Sequence, residues 1–201
     1  MEIKTYESVD ETRGRILDAA EVRFRTYGYG KTTMVEIASD VSMSAANLYR
    51  FFASKLDIGA AMAQSCFSER HKVLDEVAQM PGLSAAQRLE QFVLTLLRHT
   101  HEQFSAEPKI NELVETIITH RQDLVQAKMD SDQKLVVMIL QQGKDSGEFD
   151  IDDIEMTAEA VRTATVKFCM PLFMCMYPLE EFERMAKQVV QLLLKGLLKR
   201  A

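Results

Sequence analysis

A short segment near the N-terminus carries side chains suited to hydrogen bonding with the edges of nucleic-acid bases. Asn47 offers a paired donor and acceptor, the arrangement that recognises an adenine edge in the major groove. Ala45 and Ala46 permit close approach and could touch a thymine methyl group, while Ser44 could bond to a phosphate. Because Leu48 supplies an apolar face behind them, the segment has the layout of a helix that enters a groove of DNA.

Two short helices joined by a tight turn would position this segment. Thr33 and Glu36 form an S/T-x-x-E start signal, and the apolar spacing after it predicts a short amphipathic helix that stops near Val41. After only two more residues, Ser44 can cap a second short helix, predicted over residues 45–52. The pattern is therefore typical of a helix-turn-helix.

Residues 32–55, TTMVEIASDVSMSAANLYRFFASK, resemble the helix-turn-helix of the TetR/AcrR family of one-component transcriptional regulators. The match is carried by spaced positions at Thr32, Thr33, Ile37, Ala38, Ser44, Leu48, Tyr49, Phe51, Phe52, Ser54 and Lys55. In weaker form the resemblance covers the whole chain. GKDSGEF at 143–149 is similar to the loop before the family's penultimate helix, and LLLKGL at 193–198 is similar to its last helix.

The resemblance implies a DNA-binding surface on this motif. Its predicted members are Thr33, Ser44, Ala45, Ala46, Asn47, Tyr49, Arg50 and Lys55. Thr33, Tyr49 and Lys55 resemble the family's phosphate contacts, and Arg50 stands where a histidine is common. Arg13 and Arg15, on the preceding helix, are interpreted most simply as solvated charges.

The turn departs from the family pattern. Ser42 and Met43 replace the usual glycine and the valine after it. Because a left-handed backbone costs a serine about 1 kcal/mol or more, we expect a slightly reshaped turn within an intact fold.

The chain as a whole predicts an all-α protein of about nine helices. Its 8 glycines and 4 prolines fall between long segments of three- to four-residue apolar spacing. The first predicted helix covers residues 9–27, and Ser8 with Glu11 forms a plausible capping box at its start. The others outside the motif are a connector from 54 to the Pro81-Gly82 break, one helix from Ser84, two after Pro108 that divide near 120–123, and, beyond a loop at 143–153, residues 154–175 and 179–199. Residues 1–55 are predicted to form the DNA-binding domain and residues 56–201 the effector-binding and dimerisation domain.

The resemblance also implies a dimer and a ligand pocket in the second domain. Apolar positions of the last two helices could form a four-helix bundle with a second copy: Val161, Ala164, Phe168, Leu172, Phe182, Met185, Val189, Leu193 and Leu197. The pocket candidates mix apolar, aromatic and a few polar groups: Phe92, Leu96, His99, Leu113, Ile117, His120, Phe168, Cys169 and Phe173. We therefore predict a homodimeric repressor that binds an inverted-repeat DNA operator and is released by a small apolar or amphipathic effector.

The composition excludes several other classes. Hydrophobic residues make up 47% and charged residues 27% of the 201, which excludes a disordered chain. The net charge of −6 excludes nucleic-acid binding through overall basicity, but the first 55 residues carry eight basic and eight acidic side chains and leave the whole excess to the remainder. The longest apolar stretch, residues 168–179, is shorter than the roughly 20 residues that span a bilayer. With no secretory pattern at the start, a cytoplasmic location is the default.

Two other kinds of regulator remain open. Cys66, Cys169 and Cys175 are too few for a disulfide framework and could form a thiol redox switch. Alternatively, a dimeric regulator could act without any ligand, its pocket filled by side chains. The four histidines lack the neighbouring strings typical of metal or nucleophile sites, so we predict no enzyme, no metal site and no cofactor.

Overall fold

The computed structural model describes residues 8–105 and 108–198, and within them it contains nine α-helices and no strand. The all-α prediction is therefore confirmed. The helices are α1 (Val9–Tyr27), α2 (Met34–Asp40), α3 (Ala45–Leu48), α4 (Lys55–Ala78), α5 (Ala85–Phe104), α6 (Asn111–His120), α7 (Gln122–Asp145), α8 (Ile154–Thr165) and α9 (Leu179–Leu197). Short 3-10 turns cover Pro108–Ile110, Val166–Phe168 and Pro171–Phe173. Over the described ranges, no helix combines the length and apolarity needed to cross a membrane.

Packing divides the chain into two compact units. Residues 8–65 and 108–124 form the first, here called the head unit, and residues 66–105 and 125–198 form the second, the body unit. Helix α6 thus belongs to the head unit although it lies far along the sequence. The predicted functional boundary at residue 55 falls inside this unit.

The head unit is built around one face of α1. Ile16, Ala20 and Phe24 are completely buried on that face, and Leu48 of α3 is buried as fully. The helix starts are those expected from the capping signals, because Ser8 with Glu11 and Thr33 with Glu36 each form both halves of a capping box. Local hydrogen bonds therefore set where α1 and α2 begin, and burial sets which way they face.

The body unit packs α5 against α9, with α8 alongside. The segment GKDSGEF supports this packing. Glu148 accepts hydrogen bonds from the backbone N–H groups of Ala85 (2.8 Å) and Ala86 (3.1 Å), which lie at the start of α5 and have no partner within the helix. Gly143 leaves room for the buried ring of Phe149, since a Cβ at this position would overlap the ring. The motif is thus a cap for α5 and an anchor for the loop that follows α7.

Three predicted helix ends need correction. Helix α3 ends at Leu48 rather than at residue 52, because Arg50 and Phe51 bond to carbonyls three residues earlier and tighten the backbone into a turn. Helix α8 ends at Thr165 and is followed by a 3-10 turn over Val166–Phe168, and Pro171, which lacks an N–H, prevents a helix from running on to residue 175. Helix α7 extends to Asp145, into the predicted loop. The predicted final residue of the last helix, 199, lies outside the described residues.

The turn between α2 and α3 keeps its left-handed geometry. Ser42 has φ +56° and is the one non-glycine residue with positive φ in the described ranges. The N–H of Ser42 bonds to the carbonyl of Ser39 (3.0 Å) and that of Met43 to the carbonyl of Ala38 (2.8 Å). These two bonds form a Schellman motif, which requires the left-handed residue. The expectation of a reshaped turn is wrong, because the two bonds hold Ser42 in this conformation.

Replacing Ser42 with glycine should stabilise the protein. Glycine relieves left-handed strain of about 1–2 kcal/mol, partly offset by its greater freedom in the unfolded chain. We expect Ser42→Gly to raise the free energy of unfolding by about 0.5–1 kcal/mol in urea denaturation. As a control, Ser39→Gly at an exposed position of α2 should lower the free energy of unfolding by a similar amount. A loss of stability in Ser42→Gly would contradict the assignment of strain to this residue.

Candidate nucleic-acid interface

The structure brings the polar residues predicted to contact DNA to the start of α2 and to the α3 segment. Thr33 and Ser44 are exposed N-cap residues of the two helices. On α3, Ala46 is exposed and Ala45 and Asn47 are half-buried, whereas Leu48 is completely buried. Just after α3, Tyr49 (53% exposed) and Arg50 point to solvent. The motif therefore presents a surface of small and polar groups backed by an apolar anchor.

Two arginines of α1 hold the ends of this motif. Arg13 donates a hydrogen bond to the carbonyl of Phe51 (2.6 Å), and its guanidinium lies 4.1 Å from the centre of the Phe52 ring. Arg15 donates to the carbonyl of Val41 (3.2 Å), at the end of α2. The interpretation as a solvated charge is wrong for Arg13, which is half-buried and ties α1 to the end of the α3 segment. Arg15 is exposed, as interpreted, and its guanidinium also bonds to the end of α2.

A third arginine of α1 binds α2 through its acidic residues. Arg23 forms two hydrogen bonds with the carboxylate of Asp40 (2.5 and 2.9 Å) and lies 3.4 Å from Glu36. The guanidinium lowers the pKa of Asp40, so the pair stays charged at neutral pH. As a result, Arg23 offsets part of the negative charge of α2 beside the surface that would face DNA phosphates.

Lys55 holds the loop between α1 and α2. Its Nζ donates to the carbonyls of Tyr29 (2.5 Å) and Thr32 (2.7 Å) and lies 4.3 Å from the centre of the Tyr29 ring. Burial lowers the pKa of Lys55, and the negative charges of Glu112 and Glu36 oppose that shift. Phosphate contact by Lys55 stays a prediction, and its ammonium already has backbone oxygen partners in the head unit.

Glu112 of α6 binds the same loop. Its Oε2 accepts a hydrogen bond from the N–H of Gly30 (2.8 Å). Gly28 has φ +93°, and a Cβ there would stand 2.8 Å from both carboxylate oxygens, so both backbone conformation and space require glycine. Lys109, just before α6, donates to the carbonyl of Thr26 at the end of α1 (2.6 Å). Sequence reasoning missed these contacts because the partners lie about eighty positions apart and form no local pattern.

Two family models match the sequence. The model of bacterial regulatory proteins of the tetR family matches residues 16–62, and the model of the tetracyclin repressor-like C-terminal domain matches residues 85–190, more than half of the chain. The chain belongs to the TetR family. It is therefore a transcriptional regulator with an N-terminal helix-turn-helix and a C-terminal helical domain. No curated protein matches the sequence.

Solved structures share the TetR fold at low sequence identity. A Mesorhizobium loti protein assigned to the TetR family is 18% identical with a TM-score of 0.77, over 96% of this chain and 100% of that one. A transcriptional regulator from Cytophaga hutchinsonii is 23% identical with a TM-score of 0.71, over 92% and 97%. The complex of SmeT with triclosan is 18% identical with a TM-score of 0.66, over 94% and 93%.

The pocket residues predicted from the TetR resemblance are divided between the two units. Leu113 and Ile117 are buried in the head unit, where Leu113 lies against Gly59, and His120 is exposed there. In the body unit, Phe92, Leu96 and Phe168 are buried, His99 and Cys169 are half-buried, and Phe173 is exposed. Ligand contact by any of them stays a prediction.

The role of Lys55 can be separated from general charge effects. Lys55→Met should lower the free energy of unfolding by about 1–3 kcal/mol, because it removes a charged donor from two backbone carbonyls. Lys31→Met removes a positive charge from an exposed site in the same loop and should change the free energy of unfolding by no more than about 0.5 kcal/mol. Urea denaturation followed by circular dichroism measures both, and equal effects would show that Lys55 does not hold the loop.

Proposed function

We propose that this TetR-family regulator is a cytoplasmic homodimeric repressor that binds an inverted repeat in DNA and is released by a small apolar or amphipathic molecule. The observation that carries the proposal is the exposed face of the α3 segment, with Ala46, Tyr49 and Arg50 outward while Leu48 is buried. A major groove about 12 Å wide admits such a helix when only small and polar groups lead it.

The exposed groups divide into two proposed roles. Asn47 would read an adenine edge, with Ala45 and Ala46 allowing the approach and touching thymine methyl groups. Thr33, Ser44 and Tyr49 would bind phosphates, as would Lys55 if it exchanges its carbonyl partners for a phosphate. Arg50, which is exposed, would bind the DNA backbone or a guanine edge. Base contacts give sequence specificity, and phosphate contacts give affinity that depends on salt.

A dimer through α8 and α9 would place two such motifs on successive turns of DNA, about 34–36 Å apart. The proposal is supported by two large apolar side chains that stand in solvent on these helices, Met156 (70% exposed) and Leu192 (71% exposed). Three of the residues first expected at the interface, Val161, Phe168 and Phe182, are buried in the core of the body unit instead. The other predicted residues stay candidates beside Met156 and Leu192, because Ala164 is exposed and the remaining five are half-buried: Leu172, Met185, Val189, Leu193 and Leu197.

Release by an effector would run through the head unit's α6. Because Glu112 and Lys109 bind the end of α1 and the loop to α2, a ligand that displaces α6 would also displace the helix-turn-helix. SmeT, a protein of the same fold, has been solved in complex with triclosan, which supports the proposal that this regulator binds a small apolar effector. A useful switch needs a coupling free energy of about 1–3 kcal/mol, and DNA must weaken effector binding by the same factor.

Selection from a random duplex pool tests the function directly. We expect the purified protein to enrich an inverted repeat, which then binds with a steep dependence on salt in fluorescence anisotropy titrations. Enrichment of a single half-site, or of nothing above non-specific binding, would contradict the dimeric operator reader.

Substitution at Asn47 tests base recognition. On the selected operator, Asn47→Ala should cost about 1–3 kcal/mol of binding free energy and relax specificity at one position per half-site. By contrast, Lys31→Met removes an exposed charge that is assigned no DNA contact, so it should leave base specificity unchanged and weaken operator binding less than Asn47→Ala does. Anisotropy titrations on the operator and on single-base variants measure both, and uniform loss from Asn47→Ala would contradict a base contact.

Substitution at Leu192 tests the dimer surface. If α9 packs against a second copy, Leu192→Arg places a charge in an apolar contact and should raise the dimer dissociation constant by about tenfold or more. Val22→Arg, at a similarly exposed site on α1 (64%), is the control and should leave the constant unchanged. Sedimentation velocity over a concentration series measures the dimer dissociation constant of both variants. Equal constants for the two variants would rule out this surface.

A further inference from the structure

The body unit contains a buried group of charges that the DNA-binding function does not use. Nη2 of Arg70, on α4, donates a hydrogen bond to Oδ1 of Asp132, on α7 (2.7 Å). Nζ of Lys128 lies 3.3 Å from the other carboxylate oxygen of Asp132. The side chains of Arg70, Asp132 and Lys128 are only 6%, 7% and 14% exposed. Two cations thus share one carboxylate, which leaves this group, here called the cationic cluster, with an excess positive charge.

One donor of the cationic cluster has no acceptor. Nε of Arg70 is buried, and no hydrogen-bond partner for it is found among the described residues. A buried donor without an acceptor, and a buried charge without a counter-charge, each lower the stability of the fold by more than a satisfied hydrogen bond raises it. Folding alone would favour an apolar side chain or a second carboxylate at this place. The arrangement therefore points to an anionic partner that supplies the missing acceptor.

Residues from two further segments face the same charges. Burial, and next the positive charge of Arg70, lower the pKa of His99 on α5, which favours the neutral imidazole. Burial raises the pKa of the Cys169 thiol, after α8, and the cations of Lys128, Arg70 and Arg162 oppose that shift. The acidic side chains that also act on His99, Glu102 and Glu69, are exposed, so water screens them. His99 and Cys169 therefore lie within range of the positive charges of the cationic cluster.

The segments that carry the cationic cluster also contribute apolar residues to the core of the body unit. Leu74 lies one helical turn from Arg70, Leu135 lies one turn from Asp132, and Leu96 lies one turn from His99, and all three are buried in one continuous core. Phe168, next to Cys169, belongs to that core as well. If the charged end of a ligand bound the cationic cluster, apolar side chains of the protein would thus be available to contact the uncharged part of that ligand.

We propose that the effector of this regulator is an apolar molecule with a single carboxylate, which Arg70 and Lys128 bind in the body unit. The Nε–H of Arg70 and the ammonium of Lys128 supply charge-assisted hydrogen bonds to the carboxylate, and Asp132 holds both cations in place. The inference rests on the proposed effector function and narrows it from any apolar or amphipathic molecule to an anionic one.

Matched pairs of ligands test the charge preference on the wild-type full-length chain. Octanoate is compared with octanol, phenylbutyrate with phenylbutanol, and naphthylacetate with naphthylethanol, by isothermal titration calorimetry and by the unfolding temperature. We expect carboxylates to bind about tenfold or more tighter than their alcohols and to raise the unfolding temperature. Equal binding of both members of every pair, or binding of no carboxylate, overturns the proposal.

Variants assign the preference to the cationic cluster. Lys128→Met removes the excess charge but leaves the pair of Arg70 and Asp132 balanced, so the fold has no new unpaired charge. It should abolish the preference for carboxylate, whereas Lys134→Met, at an exposed site on the same helix, should keep it. Arg70→Met is the second variant and should have the same effect as Lys128→Met. A preference that survives both substitutions overturns the proposal.

Operator binding separates this proposal from the proposed function. If a carboxylate binds through Lys128 but leaves operator affinity unchanged, the anion site stands and release by an effector fails. If a neutral alcohol releases the operator as well as its carboxylate does, the regulator stands and the anionic effector is overturned. The carboxylate should raise the operator dissociation constant in the wild type and in Lys134→Met.

Discussion

The helix that would read DNA is only four residues long, and this sets the main constraint on the structure. Isolated helices of fewer than about 12 residues are marginal in water, so α3 cannot hold its own shape. It depends on Leu48, which anchors it in the core, and on the Schellman turn at Ser42. Arg13 then holds the carbonyl that follows α3, and Arg15 holds the end of α2. The position of the reading surface is therefore set by α1 rather than by α3.

The same dependence extends to the loop between α1 and α2. Lys55 binds carbonyl oxygens of this loop and Glu112 binds one of its N–H groups, so two opposite charges hold the backbone from two helices. Glu112 comes from α6, which joins the region after residue 107 to the head unit. In the body unit, by contrast, the buried cationic cluster has two positive charges for one carboxylate. In the head unit, Lys55 and Glu112 find their partners within the protein, whereas the cationic cluster of the body unit is proposed to find its missing partner in a ligand.

The features that the sequence predicted depend on neighbouring residues, whereas the contacts that it missed join residues far apart in the sequence. Capping boxes at Ser8 and Thr33 and the division between α6 and α7 depend on neighbouring residues, and both are confirmed. The motif positions of the DNA surface were readable because the helix-turn-helix is local. The contacts of Arg13 and Glu112, and the pair of Arg70 and Asp132, join residues 38 to 82 positions apart and leave no periodic signal. Ser42 was misjudged because the bonds that retain its strained conformation outweigh its local preference.

Amide hydrogen exchange tests most directly whether contacts from outside the helix-turn-helix hold it in place. The full-length chain is compared with Glu112→Ala and with the control Glu115→Ala, an exposed carboxylate on the same helix. The account predicts faster exchange in residues 28–33 and 44–52 of Glu112→Ala, together with weaker operator binding, and wild-type rates in the control. Unchanged exchange in both segments of Glu112→Ala would contradict it.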